Sequence, residues 1–149
     1  MIEEKEKIVE KKRAISLLLA SNPVVLYDGD CGFCNRSVQF VLKNERGSSL
    51  HFVPIQSPEV STYFEERNWT PPDLSTMFFV YGDTKWEKST AGLKIASFLK
   101  FPASLLRIGW ICPKFIRDVI YNSIAKRRKR IYKGFCALPD AETLKRFHR

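Results

Sequence analysis

Two cysteines separated by two residues, Cys31 and Cys34, follow a short apolar run and a pair of acidic residues in the stretch VVLYDGDCGFC, residues 24–34. Thiols in this spacing can pass between dithiol and disulfide if the backbone holds them close enough. Where a helix starts at the first cysteine, positions three apart share a face, and their Cα atoms lie roughly 5 to 6 Å apart, within the range a disulfide tolerates. A helix N-terminus also presents unpaired N–H groups and the positive end of its dipole, both of which favour a thiolate. An unperturbed thiol of pKa ~8.5 is only about 3% ionised at pH 7, and bringing that pKa to ~7 takes roughly 2 kcal/mol. The helix end supplies ~0.3 to 1 kcal/mol, up to ~2 in partly buried geometry. Asp28 and Asp30 oppose this, and Arg36 offsets part of their effect. A moderate depression at Cys31 is expected. Cys31, nearer the helix end, is the expected nucleophile, and Cys34, one turn inward, the resolving thiol. Asp28, at the strand end, is placed to take the proton from Cys34 directly or through water. The alternative for Asp28 or Asp30 is to cap the helix or the turn. Gly29 and Gly32 are expected to relieve backbone crowding.

The elements that must position these groups are legible around them. Residues 2–20 carry helix formers, with Ile8, Ile15, Leu18 and Leu19 near helical spacing, and Ser21-Asn22-Pro23 stops them. Residues 23–27 read as a strand that is apolar almost throughout, as in a central strand buried on both faces. A helix over 31–44, a turn at Gly47-Ser48-Ser49 and a strand over 50–55 complete a βαβ unit. A shorter helix follows over 57–68, with Ser57-Pro58-Glu59 as cap and first turn, then a proline-containing loop at 69–73. TMFFVY at 76–81, Gly82-Asp83 and residues 85–87 form a hairpin. Ser89-Thr90 opens a helix to Lys100, broken by Phe101-Pro102. The order is βαβαββα, and with CxxC directly after the first strand it is the thioredoxin-like arrangement. The tail adds helices over 104–110 and 113–130, the second amphipathic through Phe115, Ile116, Val119, Ile120 and Ile124.

The chain resembles the DCC family of thiol-disulfide oxidoreductases, a thioredoxin-like group named for a DxxCxxC motif that Asp28, Cys31 and Cys34 match. YDGDCGFC, FVPIQSP at 52–58, the Ser89/Ala91 pair, RDVIYNSIAKRRKR at 117–130 and FCALP at 135–139 resemble family blocks in the right order, from Val24 to the C-terminus. The expected fold, from the order of elements and in agreement with the resemblance, is α/β, a thioredoxin-like βαβαββα core with an N-terminal helix and a C-terminal helical extension. The expected divisions fall at 1–22, 23–102 and 103–149. The resemblance implies disulfide exchange with a protein or low-molecular-weight thiol, without a bound cofactor or metal, and makes Cys136 a recurrent feature of the tail. Many thioredoxin-like proteins carry a cis-proline facing the dithiol just before the third strand. Here that place holds Ser75-Thr76, and Pro71 and Pro72 lie upstream.

Composition bounds the alternatives. With 149 residues, 44% hydrophobic, the chain suits one domain with a sizeable core. A formal net charge of +9 directs attention to acidic partners, nucleic acid or an anionic membrane surface. Four cysteines, two of them close together, do not form the framework of a small secreted scaffold, and a reducing, cytoplasmic setting is expected. AISLLLA at 14–20 follows a segment mixing glutamates with lysines, unlike a signal peptide, and no stretch reaches the roughly 18 apolar residues of a membrane span. Stable membrane insertion is therefore not expected. Cys112 and Cys136 could complete a zinc tetrathiolate with Cys31 and Cys34, but lack the paired spacing of such sites. Asp28 and Asp30 match the DxD of haloacid-dehalogenase-like phosphotransferases, a reading that leaves the cysteines unexplained. The basic run 126–130 could make the chain an interaction module contacting phosphates. Few aromatics interleave with it, so nucleic acid is not an expected partner. His51 and His148 lack a partner motif and read as structural or surface residues.

Overall fold

In the computed structural model, which describes residues 1–30, 32–74 and 76–131, β1 (Val24–Tyr27) is the strand on which everything else is laid. Its four residues, three of them apolar aliphatics with a β-branched pair, are all buried. β2 (His51–Pro54) pairs with it in parallel, Val24 opposite His51 and Tyr27 opposite Pro54. β3 (Phe78–Tyr81) pairs antiparallel on the other side, and β4 (Thr84–Glu87) closes that edge, giving the order β2-β1-β3-β4. The turn between β3 and β4 has Gly82 at φ 58°, a conformation that favours glycine.

Alternation along the strands divides the core into two layers. Val24, Leu26, Val53 and Val80 face α1 (Ile2–Ser21) and α3 (Pro58–Glu66), meeting Ile15, Leu19, Val60 and Phe64. Val25, Tyr27, Phe52 and Phe79 face α2 (Gly32–Asn44) and α4 (Lys88–Ala96), meeting Val38, Ala91 and Ile95. Helices on both faces of a mixed four-stranded sheet, with βαβ first and a hairpin after it, make the thioredoxin-like fold. The ends of α2 and α4 are tied together: Glu45 bridges to Leu99, and the Arg46 Nε donates to the Leu99 carbonyl at 3.0 Å.

Several local expectations shift. Ile15 and Leu19 of α1 are buried, but Ile8 is exposed, because the first half of the helix runs past the edge of the core. Ser57 sits at the N-cap of α3 without a side-chain cap bond. α4 starts at Lys88 and ends at Ala96, and the Ser89 hydroxyl donates to Asp118 Oδ1 at 2.5 Å instead of capping its own helix. The segment Ala103–Ile111 is a 3₁₀ helix that approaches α4 at Gly109, where a Cβ would come within 3.0 Å of Leu93 Cδ2. Residues 114–131 form α5 (Lys114–Ile131), which packs beside α4 and α2.

The layer opposite α2 contains a buried phenol. Tyr63 lies under the Arg67 guanidinium, 3.5 Å from the ring centroid, and its hydroxyl donates to the Gly82 carbonyl at 3.0 Å. Burial pushes its pKa above the ordinary 10.0, and the Arg67 charge offsets part of that. The unfolded phenol therefore ionises first, so this group's stabilisation is intact below pH ~10 and is lost as pH rises through the folded-state pKa. Tyr63→Phe should cost about 0.5 to 1.5 kcal/mol at neutral pH. In urea unfolding, the difference between the two proteins should narrow above pH ~10.

Candidate active site

β1 ends at Tyr27 and α2 begins at Gly32, and residues 28–30 start the turn that leaves the end of β1. Asp28, 5% exposed, is a carboxylate at the end of a fully buried strand. A buried carboxylate is costly unless donors face it. Two do so at Oδ1: the Asp30 backbone N–H at 3.1 Å, which closes an Asx turn, and Gln56 Nε2 at 2.6 Å. Gln56 also accepts from the Gly29 N–H at 3.2 Å and reaches Asp30 Oδ2 at 3.5 Å. Parallel pairing explains this, because the chain leaving β2 runs beside the chain leaving β1, and the Ile55 N–H donates to the Tyr27 carbonyl at 2.8 Å. Gln56 was not singled out from the sequence, although it sits within FVPIQSP. The Asx turn is the capping alternative for Asp28. A Cβ at Gly29 would meet Gln56 and Pro54 at 3.5 Å, an ordinary contact, so crowding is not what places glycine there.

Cys34 is 8% exposed, one turn into α2. Cys31 lies outside the described residues, as do Ser75, Cys136 and His148. Thr76 is buried and held by Asp73, whose carbonyl accepts its N–H at 3.2 Å and whose Oδ2 accepts its hydroxyl at 3.3 Å. Leu26↔Phe78 is the last register pair between β1 and β3, so the chain enters β3 at the end of the sheet where β1 leads into Asp28, and it does so without proline. The one cis peptide bond among the described residues is Phe101-Pro102, before the 3₁₀ helix.

Two further features border the site. A cleft of about 340 Å³ lies between α2 and α4, walled by Val38, Phe40, Met77, Ile95 and Leu106, with Arg36 and Ser37 on its α2 side. From the other direction, the Met77 N–H donates to the Tyr121 hydroxyl at 2.8 Å, which brings α5 to the start of β3. Among the described residues no group of three or more His, Cys, Asp or Glu could hold a metal ion, while two of the four thiols of a tetrathiolate, Cys31 and Cys136, are outside them.

This strand, turn and helix lie inside a longer match. The family model for DCC1-like thiol-disulfide oxidoreductase matches residues 25–134, from the second residue of β1 past the end of α5. The chain belongs to the DCC1-like family. It is 31% identical over 128 residues to the uncharacterized protein YuxK of Bacillus subtilis (strain 168), covering 85% of this chain and 93% of that one. It is 32% identical over 111 residues to a chloroplastic DCC family protein of Arabidopsis thaliana, covering 74% of this chain and 64% of the plant protein's length. No solved structure matches.

The Gln56 amide is the tie that can be tested alone. Gln56→Ala removes the shorter of the two hydrogen bonds described at Asp28 Oδ1 and leaves the buried carboxylate with the Asp30 N–H there. It should cost about 1.5 to 3 kcal/mol in urea unfolding, the range for losing a hydrogen bond to a charged group. Gln56→Glu, which sets a second carboxylate against the first, should cost more.

Proposed function

We propose that this DCC1-like protein is a thiol-disulfide oxidoreductase that works through Cys31 and Cys34, with Asp28 as the group that handles the proton of Cys34. The observation that carries the reading is the family match over the strand, turn and helix that hold Asp28 and both cysteines. The burial of Cys34 and Asp28 supports the division of roles, since a resolving thiol need not meet bulk solvent.

The Cys31 thiolate attacks one sulfur of a substrate disulfide, forming a mixed disulfide and releasing the other substrate sulfur as a thiolate that takes a proton from water. Cys34 then loses its proton towards Asp28, directly or through water, and attacks the Cys31 sulfur. The second substrate thiolate leaves and is protonated in turn. Two electrons have passed to the substrate, and Cys31 and Cys34 are joined as a disulfide. The reverse sequence, with a dithiol as donor, restores the starting state. The same chemistry run backwards oxidises a substrate dithiol, and the direction follows from the relative reduction potentials.

The apolar cleft beside α2 favours a substrate with an apolar group near its reacting sulfur, such as a protein segment, over a small charged thiol. Without a proline before β3, a docked segment would meet the backbone around Thr76.

Cys34→Ser should trap a mixed disulfide on Cys31, seen as a stable adduct by mass spectrometry after incubation with a model disulfide. An alkylation rate for Cys31 equal to that of an ordinary exposed thiol, with no oxidised form in a glutathione titration, would defeat the proposal. Asp28→Asn should slow release of the mixed disulfide by about 10² to 10⁴ while leaving the first attack nearly unchanged. Equal release rates above pH 6 would leave Asp28 a turn-forming residue only.

A further inference from the structure

α5 is docked with its polar side inward. Asp118 accepts the Ser89 hydroxyl, Tyr121 accepts the Met77 N–H, and the Arg117 Nε donates to the Cys112 carbonyl at 3.1 Å. The apolar face read from the sequence points the other way: Phe115 is 71% exposed and Val119 64%, with Ile116, Ile120 and Ile124 exposed beside them. The 3₁₀ helix that precedes α5 has no buried residue, and its Ile111 is 84% exposed. Eleven of the nineteen exposed large apolar side chains among the described residues fall in 101–124, so exposed apolar surface is concentrated in this part of the chain.

The same segment carries most of the chain's charge. Residues 101–131 hold eight lysines and arginines against one acid, Asp118, a net +7 out of the chain's +9. Lys126 and Arg127 are exposed one turn beyond Ile124. What covers such a face must be apolar at the centre and anionic at the rim. A second copy would bring a further +7 against it, and residues 132–149, with four Lys or Arg against Asp140 and Glu142, carry a net +2 of the same sign. Nucleic acid offers the negative charge but leaves the aliphatic ridge in contact with phosphates and water.

We propose that the outward face of the 3₁₀ helix and α5 is a docking surface for an anionic lipid bilayer. An apolar ridge with Lys and Arg at one end is the pattern of a helix lying in the membrane interface, and Trp110 has the amphipathic ring favoured at headgroup depth. No described helix is long and apolar enough to cross a membrane, so the contact is peripheral. The inner side of α5 meets Met77 at the start of β3, so that strand end lies about one helix diameter, ~10 Å, from the lipid.

The test is sedimentation of the full chain with vesicles of phosphatidylcholine alone and of phosphatidylcholine mixed with phosphatidylglycerol, at low and high salt. Binding to the mixed vesicles should be at least about tenfold tighter than to the neutral ones and weaken as salt rises. Val119→Asp/Ile120→Asp should abolish it with the thermal melt unchanged, since both side chains point away from the core. Lys126→Glu/Arg127→Glu should abolish it too. The proposal is overturned by no binding to either vesicle, by binding indifferent to lipid charge, or by an Asp double variant that still binds. A wild-type dimer that Val119→Asp dissociates, or polyglutamate binding as tight as vesicle binding, would also overturn it.

Discussion

A carboxylate that ends a strand buried on both faces must be met by donors or it destabilises the fold it belongs to. The 2.6 Å bond from Gln56 to Asp28 is therefore the contact on which the arrangement of this molecule depends. It joins the two chain segments that leave the parallel pair β1 and β2, and through Gly29 it fixes the path of the turn between them. The start of α2 inherits its position from that turn. The helix that carries Cys34 is thus aimed by an interaction between side chains 28 residues apart in sequence. The same bond constrains chemistry, because an Oδ1 that accepts two hydrogen bonds holds its carboxylate in one orientation.

α5 poses a different physical problem. Helices usually dock by burying an apolar stripe, at about 25 cal/mol per Å² removed from water. This one is held by a short set of polar contacts, each contributing about 1 kcal/mol, to the start of α4, the start of β3 and the end of the 3₁₀ helix. Such contacts specify orientation more strongly than they stabilise it. They also demand partners at fixed places, which is why Ser89 is engaged with Asp118 and does not cap α4.

What was legible in the sequence follows from this division. Binary patterning gave the strands, the crossover and the hairpin because those elements are decided locally: VVLY is apolar on both faces, and Gly82 stands where the turn needs a positive φ. The same patterning placed Asp28 and Cys34 at the strand–turn–helix junction, where they are found. Gln56, Tyr121 and the Ser89–Asp118 pair were not legible as contacts. Each is a polar residue whose partner is set by which strand ends meet, and no local period carries that information. The direction of the α5 apolar face was illegible for a related reason. Periodicity reports that a helix is amphipathic and is silent on which side turns inward. That choice was made by Asp118 and Tyr121, not by Phe115 or Ile120.

These two sets of polar contacts act at the same end of the sheet. The bond at Asp28 fixes the exit of β1, and the bond from Met77 to Tyr121 fixes the entry to β3, whose first residue pairs with Leu26. The segment between α3 and β3, where many thioredoxin-like folds use proline, is here held by side chains instead: Asp73 secures Thr76, and Tyr121 secures the next N–H. A proline fixes its own backbone and removes a donor. The arrangement in this chain keeps the donor and gives it a partner on α5. The C-terminal helix therefore holds the start of β3 and of α4 and is not an appendage, and the family match runs past it to residue 134.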